Sequence, residues 1–271
     1  MMISFPNAKI NIGLHITEKR SDGFHDLETV MYPVPLTDAL EFVESGSLKF
    51  ESSGLNIDGT PENNLVLKAY HLLKEKFDLP PIHIHLHKNI PMGAGLGGGS
   101  SNAAFMLKML NGHFKLKLPN TELENFAAQL GSDCAFFINN QPVYAYGRGE
   151  LMEPVTLLLS ELYILLVKPP FGISTKEAYN NVVPQKSRLS LKALVDFSLN
   201  QWKPNIKNQF EKTLFPAHPE IAEIKEKLYK LGATYASMTG SGSAVYGLFR
   251  SNPERFVHHF PSGYFSFASH L

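Results

Sequence analysis

Cysteine is nearly absent: Cys134 is the single one in 271 residues. No intrachain disulfide and no cysteine-based zinc site can be built from it, and such usage fits a reducing cytoplasm. A surplus of one charge is missing too. Lys and Arg number 25 against 25 Asp and Glu, so no global basic field draws in nucleic acid or an anionic membrane. Long apolar runs are also lacking. The most apolar stretch, 157–167, is too short to span a bilayer and carries Glu161; it reads as a helix edge or a buried strand. The first residues, MMISFPNAKINIG, lack the charged and then apolar regions of a signal peptide. There is no internal repeat and no low-complexity tract. What remains is 44% hydrophobic and 18% charged residues, a globular composition with room for one large domain or two ordinary ones.

Glycine, by contrast, is concentrated. In "PMGAGLGGGSSNAA" (91–104), Gly93, Gly95, Gly97, Gly98 and Gly99 fall within seven positions. Glycine loses more entropy on folding than other residues, so the cluster points to backbone that wraps closely around a ligand. The residues after it read as a helix over 102–111, with Ser101 as N-cap and Gly112 as its stop. A glycine-rich loop opening a helix is an anion site, because free N–H groups and the positive helix end face the same point. Gly93, Gly95 and Gly98 also match G-x-G-x-x-G. However, about 90 residues precede the loop, and the acid at the expected distance, Glu122, opens a helix, which disfavours a dinucleotide fold. Gly93 and Gly98 have Walker A spacing, but Gly99 stands where that loop needs lysine. The loop is a phosphate cradle without its own lysine, or a linker; Pro91 and the helix start argue against the linker.

The rest of the chain mixes strands and helices without strict alternation, an α+β pattern. "AKINIGL" (8–14) alternates as a half-buried strand with Lys9 and Asn11 on its exposed face. "RSDGFHD" (20–26) is a turn, and strands follow near 27–34, 39–44 and 47–52. Residues 64–77 form an amphipathic helix. "IHIHLH" (82–87) puts Ile82, Ile84 and Leu86 on a core face and three histidines outside, where a metal site is the lesser reading. A helix over 121–130 carries a capping box at Thr121 and Glu124 and ends at Gly131. After a composition shift near 150–160, strands are expected near 162–167, 233–238, 244–249 and 263–268. Helices are expected near 190–200, 205–214, 219–231 and, short, from Pro253. The expected division is 1–155 and 156–271.

Three separated segments carry a resemblance. "PMGAGLGGGSSNAA" resembles the phosphate loop of the GHMP kinase superfamily (galactokinase, homoserine, mevalonate and phosphomevalonate kinases), "AKINIGLHI" its first motif, and "MTGSGSAVYGLF" (238–249) its third. "SDGFHDLETVM" and "LGSDCAFF" resemble the branch of the superfamily that acts on 4-diphosphocytidyl-2-C-methyl-D-erythritol in the non-mevalonate route to isoprenoids. The resemblance implies a two-domain α+β kinase. Its N-terminal half is ribosomal-S5-domain-2-like and binds ATP, its C-terminal half is ferredoxin-like, and the active site lies in the cleft between them. It implies ATP and Mg²⁺ as cofactors, a small cytidine diphosphate-linked methylerythritol substrate, and a cytoplasmic enzyme that is a monomer or weak homodimer. Neither nucleic acid nor membrane is expected as a partner. A homoserine- or mevalonate-type kinase, or a non-catalytic nucleotide-binding module, stays open.

The same resemblance assigns roles. Pro91, Met92, Gly93, Ala94, Gly95, Leu96, Gly97, Gly98, Gly99, Ser100 and Ser101 cradle the nucleotide phosphates, and Ser100 or Ser101 can reach Mg²⁺ or a phosphate oxygen. Asp133 is the base for the substrate hydroxyl; the bare sequence by itself reads it rather as a helix cap. Lys9 pairs with Asp133 and keeps it ionised; by itself it reads as a solvated strand lysine. Phe24, where the family usually has Tyr, covers one face of the cytosine and Tyr179 the other; by itself Tyr179 reads as a core or surface aromatic on a helix. His25, mainly through its backbone, reads the base edge, with Asn11 and Thr175 nearby. Gly240 and Ser241 form an anion nest for the substrate diphosphate, or an ordinary β-turn. The metal ligands stay unassigned; Glu150 is the one carboxylate that suggests itself.

Overall fold

The computed structural model describes residues 2–180, 182–185, 190–194 and 196–271. The elements run β1 (Met2–Ser4), β2 (Asn7–Lys19), β3 (His25–Thr37), β4 (Ala39–Glu44), β5 (Lys49–Gly54), α1 (Leu65–Lys74), β6 (Ile82–Lys88), α2 (Gly98–His113), α3 (Asn120–Leu130), α4 (Phe136–Asn139), β7 (Val143–Gly147), β8 (Leu151–Pro154) and β9 (Tyr163–Lys168). Then come α5 (Thr175–Asn180), α6 (Leu191–Leu194), α7 (Leu199–Asn205), α8 (Glu211–Ala217), α9 (Pro219–Lys230), β10 (Tyr235–Met238), β11 (Val245–Phe249), a 3₁₀ turn (Glu254–His259) and β12 (Phe265–His270).

The chain forms two compact units. One takes the chain up to Ala8, Leu36–Met92 and Gly97–Gln141; the other takes Lys9–Pro35, Gly93–Leu96 and everything from Pro142. These differ from the consecutive segments 1–155 and 156–271. Contacts of β2 with later segments are the cause: Leu14 and Ile16 share a core with Leu165, Val167 and Val245, and Leu14 bridges to Asn208, while β3 pairs with β7, with Leu27 opposite Gly147 and Met31 opposite Val143.

The first unit holds a sheet in the order β1-β4-β6-β5, with β5 parallel to β6 and the other pairs antiparallel. Along β6 the period of two holds. Ile82, Ile84 and Leu86 are fully buried while His83, His85 and His87 lie on the outer face. The buried side chains of α1 and α2, including Val66, Tyr70, Leu73, Met106 and Leu110, supply the rest of this core. Asn64 caps α1 as its side chain accepts from the Val66 N–H at 2.9 Å.

The second unit holds the sheets β2-β3-β7-β8 and β10-β11-β9-β12, the latter wholly antiparallel. Its core joins Leu14 and Ile16 of β2 to Leu165, Val167, Val245 and Phe249, with Leu214, Ile221, Ile224 and Leu228 of α8 and α9 packed on them. Leu157–Val167 resolves as a loop followed by β9. The helix expected near 190–200 appears as α6 and α7, with Val195 outside the described residues. The helix expected over 205–214 is displaced: α7 stops at Asn205, and the Asn208 carboxamide accepts from the Phe210 N–H at 3.0 Å just before α8.

Two caps differ from the sequence reading. Helix α2 starts at Gly98, after Gly97 at φ +71°, so Ser101 lies inside the helix and does not cap it; Gly112 lies within the last turn. Helix α3 starts at Asn120 behind Pro119, with no side-chain cap. Pro119, at φ −70°, already presets the entry, so Thr121 falls in the first turn and there is no capping box.

Candidate active site

The third motif and the first half of the glycine loop belong to the same unit and are bonded to each other. The Gly93 carbonyl accepts from the Ser243 N–H, and the Ala94 carbonyl from the Ala244 N–H, both at 3.3 Å. Gly95 stands at φ +72°, and a Cβ there would meet the Thr239 carbonyl oxygen at 2.1 Å. Only glycine fits such an approach.

Against this segment lies β2, and here the sequence reading is corrected. Lys9 and Asn11 share a face, as expected, but each is only 3% exposed. The face is covered by residues 93–96 and by Thr239, which period-two patterning cannot foresee. The Lys9 ammonium donates to the Gly95 carbonyl at 3.0 Å and to Asn11 Oδ1 at 2.5 Å, and the Lys9 N–H donates to the Leu96 carbonyl at 2.9 Å. Asn11 is fully engaged: its Nδ2 donates to Thr29 Oγ1, its N–H to Thr239 Oγ1, and its carbonyl accepts from Tyr246. A buried ammonium held on the loop backbone is a directed charge, unlike a solvated lysine guarding a strand edge.

In the other unit, the second half of the loop becomes the first turn of α2. The N–H groups of such a turn have no partner inside the helix. Ser101 is fully buried and its Oγ has no hydrogen-bond partner among the described residues. A hydroxyl without a partner, next to unpaired amides, fits a phosphate oxygen or a hydrated divalent cation. Asp133 sits half-buried in the turn before α4. The position that opens α4 is Ala135, whose side chain makes no capping hydrogen bond. Cys134, next to Asp133, is fully buried, and α4 just after it packs against α2. Burial, followed by the weaker effect of the Asp133 charge, pushes the thiol up to about 11.

Sequence reasoning missed a pocket in this unit and the charges behind it. The pocket, of about 210 Å³, is lined by Ile57, Leu65, Leu86 and Met92 with Lys88 and Asn102, and reaches Gly99 of α2. One water occupies about 30 Å³, so the space suits a ring system. Behind it, Asp38 accepts from Lys88 Nζ at 2.5 Å and Asn102 Nδ2 at 2.8 Å. Burial lowers the Lys88 pKa against the opposing pull of Asp38. A signal existed: Lys88 continues the core phase of Ile82, Ile84 and Leu86, so it had to be buried with a partner.

The residues expected to hold a base lie in the second unit. The rings of His25 and Tyr179 are 5.1 Å apart, and Tyr179 packs edge-on to Phe210 at 4.9 Å. Phe24 is 56% exposed, with the Arg148 guanidinium 5.3 Å above its ring. An exposed aromatic ring is a stacking platform. Burial, then the Lys19 charge, lowers the His25 pKa, so the ring is neutral at pH 7. Thr175, at the start of α5, is exposed. Gly240, at φ +54°, and Ser241 form the turn between β10 and β11, whose Met238 and Gly240 carbonyls accept from Asn208 Nδ2. Glu150 is engaged elsewhere, accepting from the Arg148 N–H at 2.6 Å. Among the described residues no group of three His, Cys, Asp or Glu could hold a metal ion, and no helix is long and apolar enough to cross a membrane.

Comparison with known proteins agrees with this architecture. Residues 64–147 match the model of the GHMP kinases N terminal domain, and residues 190–264 that of the GHMP kinases C terminal. The chain is 56% identical to the 4-diphosphocytidyl-2-C-methyl-D-erythritol kinase of Bacteroides thetaiotaomicron, over 92% of each chain. To the enzyme of that name from Azobacteroides pseudotrichonymphae it is 52% identical over 99% of each. A crystal structure of 4-(cytidine 5'-diphospho)-2C-methyl-D-erythritol kinase superposes with a TM-score of 0.85 at 30% identity, covering 98% of both chains. Mevalonate kinase of Methanococcus jannaschii, at 15% identity and TM-score 0.73, shares the fold. The chain therefore belongs to the GHMP kinase family.

Proposed function

We propose that the chain transfers the γ-phosphoryl group of ATP to the 2-hydroxyl of 4-diphosphocytidyl-2-C-methyl-D-erythritol, giving ADP and the 2-phosphate. The observation that carries this reading is the buried Lys9 ammonium on the Gly95 carbonyl of the glycine loop. It supplies, from β2, the cation that the loop lacks at Gly99. Phosphoryl transfer depends on positioning and on charge placed where negative charge develops.

In this reading, residues 91–101 cradle the triphosphate, and the pocket beside Leu65 and Met92 takes the adenine ring. Asp133 accepts the proton of the attacking hydroxyl, a role supported by its half-buried place in the turn before α4, which packs against α2. Lys9 keeps that carboxylate ionised and steadies the hydroxyl. Asn11 holds the ammonium in place. Phe24 and Tyr179 take the cytosine faces, His25 its edge, and Gly240 and Ser241 the diphosphate. Ser100 and Ser101 would hold Mg²⁺, which when bound neutralises charge on the phosphates. The two family domains would divide at about 155, and the single buried cysteine accords with a cytoplasmic enzyme.

The test is ADP release by the purified chain with the cytidyl substrate, homoserine or mevalonate as acceptor. Release with the cytidyl substrate alone is expected. Equal release with mevalonate or homoserine would move the chain to another acceptor class, and no release with any of the three would overturn the reading.

A further inference from the structure

We propose that Asp38, which lies outside the pocket and has no place in the chemistry above, is a positioning residue for ATP. It acts by fixing both stems of the glycine loop. This rests on the loop being the ATP site.

The geometry is specific. Asp38, Lys88 and Asn102 are 1%, 3% and 2% exposed. One Asp38 oxygen accepts from the N–H groups of Asn89 and Ile90, each at 2.7 Å, on the stem entering Pro91. The other accepts from Asn102 Nδ2, on the α2 stem leaving the loop, and from Lys88 Nζ. Four donors use about all the lone-pair sites of a carboxylate. Lys88 also closes the space under the first turn of α2, since a Cβ on Gly98 would meet its Nζ at 2.9 Å.

Hydrophobic side chains of similar volume would stabilise this spot as well or better, because a buried ion pair offsets most of its own desolvation. What the carboxylate adds is direction: charged hydrogen bonds are short and strongly aligned. A loop with five glycines in seven positions samples many conformations when its ends are free. Tying residues 88–90 and 102 to one fixed carboxylate leaves the intervening backbone few ways to close. It also aims the free N–H groups of α2 in one direction before ATP arrives, which lowers the ordering cost of binding.

The test compares wild type, Asp38→Asn and Asn102→Ala by calorimetry with a non-hydrolysable ATP analogue, adenosine and the cytidyl substrate. Hydrogen exchange of segment 88–103 and melting temperature are read alongside. Asn102→Ala leaves the Asp38–Lys88 pair and both backbone bonds in place and carries the test if Asp38→Asn does not fold; because Asn102 also lines the ring pocket, it is read by the loss for the ATP analogue beyond its loss for adenosine. Each folded variant is expected to bind the ATP analogue about tenfold more weakly, the loss of one charged hydrogen bond. Adenosine in Asp38→Asn, and the cytidyl substrate in both variants, should stay within about twofold, with faster exchange at Asn89 and Ile90 in Asp38→Asn. Unchanged affinity for the ATP analogue in folded variants overturns the proposal, as does an equal loss for adenosine, which would place the effect in the ring pocket. A wild-type chain that does not bind the ATP analogue at all removes the loop reading itself.

Discussion

Replacing Gly95 with alanine tests the contact on which the site is built. At φ +72° an L-residue costs about 1–2 kcal/mol more than glycine. Worse, the new methyl would stand 2.1 Å from the Thr239 carbonyl oxygen and 2.9 Å from its carbon. Both are backbone atoms, so no side chain can swing aside, and overpacking of this kind costs about 1–3 kcal/mol. The sum, about 2–5 kcal/mol, corresponds to a melting temperature lowered by roughly 5–15 °C for a chain of this size. Gly232→Ala is the control: its φ is +102°, yet nothing lies within 4 Å of the added Cβ. It should lose only the backbone term, about 1–2 kcal/mol. To relieve the clash, residue 95 must withdraw from Thr239, carrying its carbonyl off the Lys9 ammonium. Gly95→Ala should therefore also lose ADP release, while Gly232→Ala keeps it. Thermal melts and a coupled ADP assay read both effects. Equal melting temperatures for the two variants, or full activity in Gly95→Ala, would show that the close approach of 95 to 239 is not what holds Lys9 on the loop.

Asp133→Asn should cut turnover at least about 100-fold with ATP affinity preserved; turnover near wild type in a single-turnover assay would take Asp133 out of the mechanism. Phe24→Ala should raise KM for the cytidyl substrate about 5- to 150-fold, the worth of one base stack, with Phe24→Tyr restoring it and KM for ATP constant; an unchanged KM would move the cytosine elsewhere. Cys134, pushed from an ordinary 9 to about 11, should resist alkylation at pH 8 in the folded chain and react once unfolded. Because the folded thiol ionises later than the unfolded one, it contributes stability below pH 9 that is lost as the pH climbs to about 11; melts of wild type and Cys134→Ser across that range, with no difference between them, would refute it.

Much of this was legible in the residues themselves. Period two along "IHIHLH" fixes which face of β6 is buried, because neighbouring side chains on a strand point opposite ways whatever lies around them. The glycine cluster marks a tight backbone loop, because no other residue tolerates such angles and approaches. The burial of Lys9 and Asn11 was not legible: their strand face is covered by segments 93–96 and 239–244, and nothing local encodes what a distant turn will cover. Nor was the start of α2, where Gly98 and Gly99 are helical and Lys88 and Ile90 lie close beneath Gly98. Asp133 could be read locally as a cap or as a base; the cap position of α4 falls on Ala135, which no local signal marked. Local sequence thus determined the elements and their polarity, since those depend on neighbours along the chain. Only the tertiary structure decided which charges are buried, what they hold and which loop they serve, since those depend on residues more than 200 positions away.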